Sequence, residues 1–523
     1  MSTKSMLKAS SVLAVFTLLS RILGLARESV RAALLGTSAL GDAFTVAFML
    51  PDFFRRLAAD GVLTSSFVPA FKGLTANGGR EEIRDFLSGV FSLACFVFFG
   101  LTLIGMLSSD LLSALFAPSL EADVAVESSV LIRIMLPYLA FITVGTLIQG
   151  VLNCIGVFKP SGFAPVIFNV TVIASAFLLS PFTVNPARAL AAGVLLGGFF
   201  QLLFQLPFFL KTAFRFSVTG LGKALSNPAV KRLCAVFLPT AVGVGAYQIN
   251  ILVSTRIANR AGVGVVSSLQ FSTRIEDLIL GIFVVSLSTV ILPELVSEAK
   301  SSNSEEFEKK AQVAMKLVSF ISIPAIMFTI FFATEMVELL FGFGSFGSES
   351  VSMTAYALKF HIVGLFFVAA AKILNPLFFA KERILFPVAA GCTSIVVNLI
   401  FSLLLVDRMK GGGIALASTV AATAAAAVLL AGLGQHLKTT GGWLLYSLKI
   451  TIISAICVSP VLLLRSPLQG LFSAYQGSKA VQLLLFGIPA LIFVLLFAGF
   501  SFAAKDETLK LVLRLGKKRD FME

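Results

Sequence analysis

Apolar segments of about 18 residues or more recur from one end of this chain to the other, each long enough to cross a hydrocarbon layer of about 30 Å as an α-helix. Lipid is the solvent such a chain requires. Barrel strands would be shorter and would alternate in polarity. The chain is 57% hydrophobic and only 13% charged, more apolar surface than one soluble core can hide. We read about fourteen spans, at roughly 7–35, 40–70, 86–116, 129–156, 161–181, 187–210, 230–258, 264–296, 312–341, 351–379, 384–406, 412–435, 442–464 and 477–503. The fold class expected is an all-α polytopic membrane protein.

The first span follows Lys4 and Lys8, as a secretion signal would, but Arg21 and Arg27 interrupt it and no small-residue cleavage site follows, so it is kept as a membrane helix. The formal net charge of +14 suggests nucleic acid until it is mapped onto the spans. About 25 Lys and Arg fall in alternate loops and the tails, including Lys72, Arg80, Arg84, Lys211, Arg215, Lys231, Arg232, Lys309, Lys310 and Lys517 to Arg519, against about six in the opposite loops. Both termini are therefore expected in the cytoplasm, which an even number of spans permits. Contact with anionic membrane lipids is a secondary use of this charge. The 51 Phe are spread through the spans rather than interleaved with a basic patch, so no nucleic-acid partner is expected. Cys95, Cys154, Cys234, Cys392 and Cys457 are isolated within spans and read as packing residues, with no disulfide framework and no metal site.

Ala14-Val15-Phe16 in the first span is echoed by Ala235-Val236-Phe237 in the seventh, and a proline exit follows each, at Phe67-Val68-Pro69 and Ile291-Leu292-Pro293. The echo divides the chain into a six-helix bundle at 1–212, a second at 213–436, two appended membrane helices at 437–504 and a basic cytoplasmic tail at 505–523. Transporters built this way bind substrate between their halves.

The first span reads Ser20-Arg21-Ile22-Leu23-Gly24-Leu25-Ala26-Arg27-Glu28-Ser29-Val30-Arg31. An arginine at mid-membrane costs about 2.5–3.5 kcal/mol on insertion scales, so these side chains are expected to face a wet cavity or a partner. Arg27 and Arg31 share a face, and Glu28 can pair with Arg31. Arg31 suits a structural ion pair or a snorkelling end residue, whereas Arg21 and Arg27 suit a cavity. Gly24 between them permits a bend.

The second span carries Gly41-Asp42-Ala43-Phe44, then Leu50-Pro51-Asp52-Phe53-Phe54-Arg55-Arg56-Leu57, with Asp60 beyond. Pro51 is expected to break the helix, leaving Asp52 to cap the following half and to meet Arg55 or Arg56 one turn on. Arg56 also reaches Asp60, as a self-neutralised structural pair. Arg55 can then face a cavity while Arg56 pairs. Asp42 is placed either to cap its own helix or to answer the arginines of the first span.

In the eighth span, Ser272-Thr273-Arg274-Ile275-Glu276-Asp277 repeats the pattern, with Asp277 on the face of Arg274. Several guanidiniums lining one cavity suit phosphate, because the planar fork binds its oxygens bidentately and stays charged. His361 reads as a satisfied core residue or, alternatively, a proton carrier, and Arg256, Lys359 and Lys372 take no assigned role. HExxH, GxxxxGK[ST] and GxSxG motifs are absent from the sequence, so the expectation is a transporter without enzyme chemistry or cofactors, dependent on membrane potential or an ion gradient.

These residues resemble a family. Ser20 through Glu28, Gly41-Asp42-Ala43-Phe44, Leu50 through Arg56 and Phe67-Val68-Pro69 look like the MviN/MurJ lipid II flippases. Phe163-Ala164-Pro165, Asn169, Gln201, Gln205-Leu206-Pro207, Arg274, Pro376 and Pro387 extend the likeness over nearly the whole chain, most weakly in the last two spans. The resemblance implies the fold of the MOP exporter superfamily and export of an undecaprenyl-pyrophosphate-linked peptidoglycan precursor, lipid II, across the bacterial inner membrane. It places substrate binding on Arg21, Arg27, Arg55 and Arg274 with Ser20 and Asp42. From their spacing, Asp52, Asp277, Glu28, Arg31, Arg56 and Asp60 are expected to serve gating or charge pairing. By the same resemblance the last two spans are expected to form the groove for the lipid tail. Other cell-wall synthesis proteins are further partners it suggests.

Departures from the family pattern also matter. Asp52 stands where many relatives carry Asn, which puts a negative charge beside the expected pyrophosphate, and Ile279 replaces a usual proline. Ser254, Asn398, Ser402 and Ser418 fall where some relatives hold sodium with carboxylates, so sodium coupling is not implied. Alternating access is the expected mechanism. A related exporter of another lipid-linked oligosaccharide or of drugs is the alternative; drug cations would call for acidic or aromatic cavity residues. A non-transport scaffold gives no reason to keep intramembrane arginines.

Overall fold

The computed structural model describes residues 3–56, 66–300, 304–381, 383–433, 440–472 and 478–511. Among these the chain is helical throughout its regular structure: α1 (Thr3–Leu35), α2 (Ala39–Arg55), α3 (Val68–Asn77), α4 (Arg80–Leu107), α5 (Ser109–Phe116), α6 (Ala122–Met135), α7 (Tyr138–Cys154), α8 (Lys159–Leu178), α9 (Pro186–Leu210) and α10 (Leu221–Ser226). There follow α11 (Pro228–Arg260), α12 (Val265–Lys300), α13 (Ser304–Phe331), α14 (Ala333–Phe341), α15 (Ser348–Ala380), α16 (Leu385–Leu433), α17 (Thr440–Leu463), α18 (Arg465–Leu471) and α19 (Lys479–Ala503). Nine helices among the described residues are long and apolar enough to cross a membrane, and the protein is a multi-pass membrane protein.

Local chemistry starts these helices. Ser38 caps α2 by accepting from the Gly41 N–H at 3.1 Å. Asn185 caps α9 at the Arg188 N–H (3.1 Å) with Pro186 behind it, and Asn227 caps α11 at the N–H groups of Ala229 and Val230 with Pro228 behind it.

Several expected spans are interrupted. The 86–116 span breaks at Ser108 between α4 and α5, and the 312–341 span at Phe332 between α13 and α14. The spans at 384–406 and 412–435 both lie in α16, as two helices joined across a kink. Lys410, at φ 47° and ψ −127°, breaks it internally. Pro51 does not end its helix, as the sequence suggested: α2 runs through it to Arg55. Proline removes one backbone bond, but its fixed φ is helical and the rest of the ladder continues. Likewise α1 runs unbroken through Gly24.

The chain forms two compact units, one of Met1–Ser267 with Gly344–Phe346 and the other of Ser268–Phe343 with Gly347–Glu523. In the first unit α8 packs against α1 and α9, and α2 against α6. Gly193 and Gly197 of α9 allow that approach, since a Cβ there would lie 2.9 Å from Ser175 Cβ and 2.8 Å from Phe168 Cδ2. Beyond α9, residues 213–220 run extended along α4, where Ser88 and Ser92 accept from the N–H groups of Ser217 and Thr219 at 3.0 and 2.8 Å. The turn after α1 is closed by backbone contacts: Ser345 N–H donates to Ala33 O at 2.7 Å, and Gly264, at φ +83°, presses against the Thr37 carbonyl where any Cβ would collide.

In the second unit α13 packs against α15 and α17, α15 against α16, and α17 against α19. Phe320, Phe328, Phe332, Phe493 and Phe497 fill its core with Ile450 and Cys457. Trp443 satisfies its indole N–H on Ser319 Oγ (3.0 Å) and Met315 O (3.2 Å).

Candidate functional site

Three groups of polar residues in the first unit occupy positions that the apolar pattern cannot explain. On α1, Glu28 is buried and its carboxylate takes two guanidiniums: Arg27 Nη2 donates to Oε1 at 2.6 Å, and Arg31 Nε lies 3.2 Å from Oε2. The spacing of three residues puts Arg31 one turn on from Glu28. Arg27 also lies between two rings, 5.9 Å from the Phe48 centroid and 5.5 Å from that of Phe168, where ring quadrupoles stabilise a cation away from water. Arg27, Glu28 and Arg31 line one recess with Phe44, Phe48 and Val194. Arg21, further up α1, is half-buried and has no hydrogen-bond or ion-pair partner among the described residues. Beside it, the Ser20 carbonyl accepts from Asn169 Nδ2 at 3.1 Å, which ties α1 to α8.

The second group lies at the end of α2. Asp52 Oδ1 accepts from Arg55 Nε at 3.0 Å and Nη2 at 2.8 Å, while Oδ2 accepts from Arg56 Nε at 2.9 Å. Sequence spacing suggested one arginine paired and one turned to a cavity; the structure joins both to Asp52. Arg56 with Asp60 falls outside the described residues. Each cluster carries two positive charges to one negative, an arrangement suited to an anion.

The third group is Asp42, fully buried. Its carboxylate neither caps α2, which Ser38 does, nor bonds an arginine of α1 among the described residues; it accepts from the backbone N–H groups of Gly264 (2.6 Å) and Ser267 (2.8 Å) and so caps α12. Thr45 Oγ1 lies 3.5 Å from Ser267 Oγ in the same contact.

In the second unit Arg274 Nη1 is 3.9 Å from Asp277 Oδ2, a loose ion pair with Asp277 half exposed. Buried His361 has its Nδ1 2.7 Å from Ser272 Oγ. Ser418 Oγ donates to Asn398 Oδ1 at 3.3 Å. Lys359 and Lys372 are exposed on α15, and Arg256 is half-buried on α11.

Two clusters escaped the sequence reading. Glu127 of α6 accepts from Arg188 Nε (2.8 Å) and Nη2 (2.7 Å) and from Asn185 Nδ2 (2.9 Å) of the α9 start. An acid and a base flanking two apolar runs were the available signal. At the other end of the chain, Asp506 accepts from Tyr446 OH (3.0 Å), Lys449 Nζ (3.1 Å) and the Thr508 N–H (2.9 Å). The Phe48 and Phe168 rings around Arg27 had no signal at all in a chain with 51 Phe.

Long apolar helices with charged groups held among them define an all-α polytopic membrane fold, and solved structures share it. A solved structure described as lipid II flippase MurJ in an inward closed conformation superposes with a TM-score of 0.78 at 24% identity, over 94% of this chain and 99% of that one. An inward-facing multidrug resistance MATE transporter of the MOP superfamily gives 0.65 at 17% identity, over 82% and 99%. Sequence narrows the class. Residues 31–478 match the family model for the lipid II flippase MurJ. A relative from Treponema pallidum, named "Probable lipid II flippase MurJ", is 37% identical over 95% of both chains. The lipid II flippase MurJ of Burkholderia cenocepacia is 33% identical over 83% of this chain and 85% of its own. This chain belongs to the MurJ lipid II flippase family.

Proposed function

We propose that this protein flips lipid II, carrying the undecaprenyl-pyrophosphate-linked peptidoglycan precursor from the cytoplasmic to the outer leaflet by alternating access. The observation that carries the reading is the pair of arginine clusters on α1 and α2 of one compact unit, in a chain 37% identical over 95% of its length to a probable lipid II flippase. Arg21, Arg27 and Arg55 bind the pyrophosphate with Ser20 in support, Arg274 of the second unit also serves substrate binding, and Asp42, held on the α12 cap, acts by fixing that helix start. Guanidinium forks recognise phosphate oxygens bidentately and hold their charge in an apolar setting. Glu28, Asp52 and Asp277 balance that charge when the site is empty.

The chain crosses the membrane about fourteen times, with α16 crossing twice at its Lys410 break and the charge-bearing α1, α2, α11 and α12 joining the apolar spans. Both termini lie in the cytoplasm, as the basic loops favour. An inside-negative membrane potential then drives the anionic cargo outward by about 2.3 kcal/mol per charge per 100 mV.

Depletion of the essential flippase of a test bacterium, with this chain supplied in its place, tests the reading. The wild-type chain restores growth, and Arg21→Ala, Arg27→Ala, Arg55→Ala and Arg274→Ala versions at equal expression do not. Rescue by all four alanine variants removes the arginine site.

A further inference from the structure

The two clusters of the first unit differ in a way that the charge count does not show. In the α1 cluster Glu28 and Arg31 are sealed, their side chains 5% and 6% exposed, and Arg27 is 16% exposed; in the α2 cluster both guanidiniums are more open, Arg55 at 29% and Arg56 at 28%, with Asp52 at 17%. An anion can therefore reach the α2 cluster without unpacking the helices. The donors it would meet are already in use. Asp52 Oδ1 holds Nε and Nη2 of Arg55, and those two N–H groups form the fork that a phosphate takes.

We propose that Asp52 is a built-in competing anion that sets how tightly this protein holds a pyrophosphate. In the empty site it occupies the Arg55 fork; an arriving headgroup displaces it, and on release the carboxylate retakes the fork. Arg56 makes the exchange feasible. Asp52 Oδ2 is bonded to Arg56 Nε at 2.9 Å, so when Arg55 is surrendered the carboxylate keeps a cationic partner and no lone charge is stranded. Both contacts lie one turn along the same helix, so exchange needs side-chain rotation and no backbone movement. The negative charge also repels a bound pyrophosphate, which lowers affinity and hastens release. A carrier gains from this because a headgroup gripped by uncontested arginines would leave slowly. Asp52 is thus a positioning residue acting through Arg55. The inference rests on the pyrophosphate reading above and adds what tunes its affinity.

The test uses the full chain in lipid nanodiscs and farnesyl pyrophosphate as a soluble polyprenyl-pyrophosphate probe, with affinity measured by calorimetry across a salt series. Wild type binds, and Arg55→Ala weakens the binding. Asp52→Asn and Asp52→Ser, which remove the charge in two different shapes, bind about tenfold tighter and with a steeper loss of affinity on adding salt, because one competing negative charge beside the guanidiniums is gone. Asp52→Glu, which keeps the charge, stays within about twofold of wild type. A purely structural Asp52 would leave the salt slope unchanged. Affinity equal to or weaker than wild type in both Asp52→Asn and Asp52→Ser, with Arg55→Ala still weakening binding, overturns the inference and leaves the pyrophosphate reading standing. Failure of every folded version to bind, wild type included, overturns both.

Discussion

At the residue scale the ion pairs divide by depth, and depth sets what removing a partner does. Glu28 is 4% exposed and Arg31 5% exposed, so a Glu28→Ala chain buries two guanidiniums that had shared one carboxylate. Loss of one member of a buried pair costs about 3–5 kcal/mol, because the remaining charge is neither solvated nor paired. Glu28→Ala is therefore expected to lower the unfolding temperature sharply in detergent, and adding Arg31→Ala to recover part of the loss. A double-mutant cycle reads the coupling directly, and strict additivity would show that the two side chains do not share the interaction. Much of this cluster was legible in the sequence. Charges in an apolar run are conspicuous, and spacings of three and four residues allow Glu28 to be matched with Arg31 and Asp52 with Arg55 and Arg56. The simultaneous hold of Asp52 on both arginines was not legible, since spacing admits either partner and only rotamers decide.

At the scale of elements, the contacts that fix where helices begin link residues far apart in sequence. Asp42 caps α12 from 222 and 225 residues away, and no local pattern signals a bond of that length. Its side chain satisfies two N–H groups at a helix start, so Asp42→Ala is expected to cost about 1–2 kcal/mol through the lost cap. Gly264 lies in the same contact at φ +83° against the Thr37 carbonyl, and Gly264→Ala adds both backbone strain and a collision. Hydrogen exchange along the first turn of α12 should accelerate in both variants. Unchanged protection there would show that the cap carries no weight.

The C-terminal anchor makes a different prediction. Burial pushes the Asp506 carboxyl up, but bonds from Lys449, the Thr508 N–H and Tyr446 outweigh it and hold the group below its ordinary range. A carboxylate lowered in the folded state stabilises above its unfolded pKa of about 4 and loses that contribution as pH falls through the folded value. Limited proteolysis at residues 505–511 should therefore be flat from neutral pH down to about pH 5 and rise in stronger acid. Asp506→Asn should be cleaved readily at every pH. The break at Phe332 shares the reason that Asp42 was hard to read, since it interrupts an apolar run whose composition continues and is set by packing partners; the break at Lys410 was legible, because Asp407, Arg408 and Gly411 to Gly413 divide the run where the sequence reading ended one span at 406 and began the next at 412.

At the scale of the molecule, orientation follows from where charge collects, and the first unit supplies a direct measurement of it. The 33 residues of α11 span about 50 Å, more than a hydrocarbon layer, so on the proposed fourteen-span topology its two ends emerge on opposite sides of the membrane. Before its start lies the extended stretch docked on α4, where Val218 is 81% exposed among Lys211, Arg215 and Lys223. After its end comes the turn holding Val263, 63% exposed and followed by the apolar start of α12. A cation-rich loop resists transfer across the membrane, so the proposed orientation has Val218 inside the cell and Val263 outside. With the native cysteines replaced, Val218→Cys in intact cells should react with a membrane-impermeant maleimide only after permeabilisation, and Val263→Cys without it. Substitution at either site leaves the ion pairs of α1 and α2 untouched, so growth in the depletion strain reports that the labelled protein still works. Labelling of Val218→Cys from outside would invert the orientation, and the arginine clusters would then have to load their anion from the wrong leaflet.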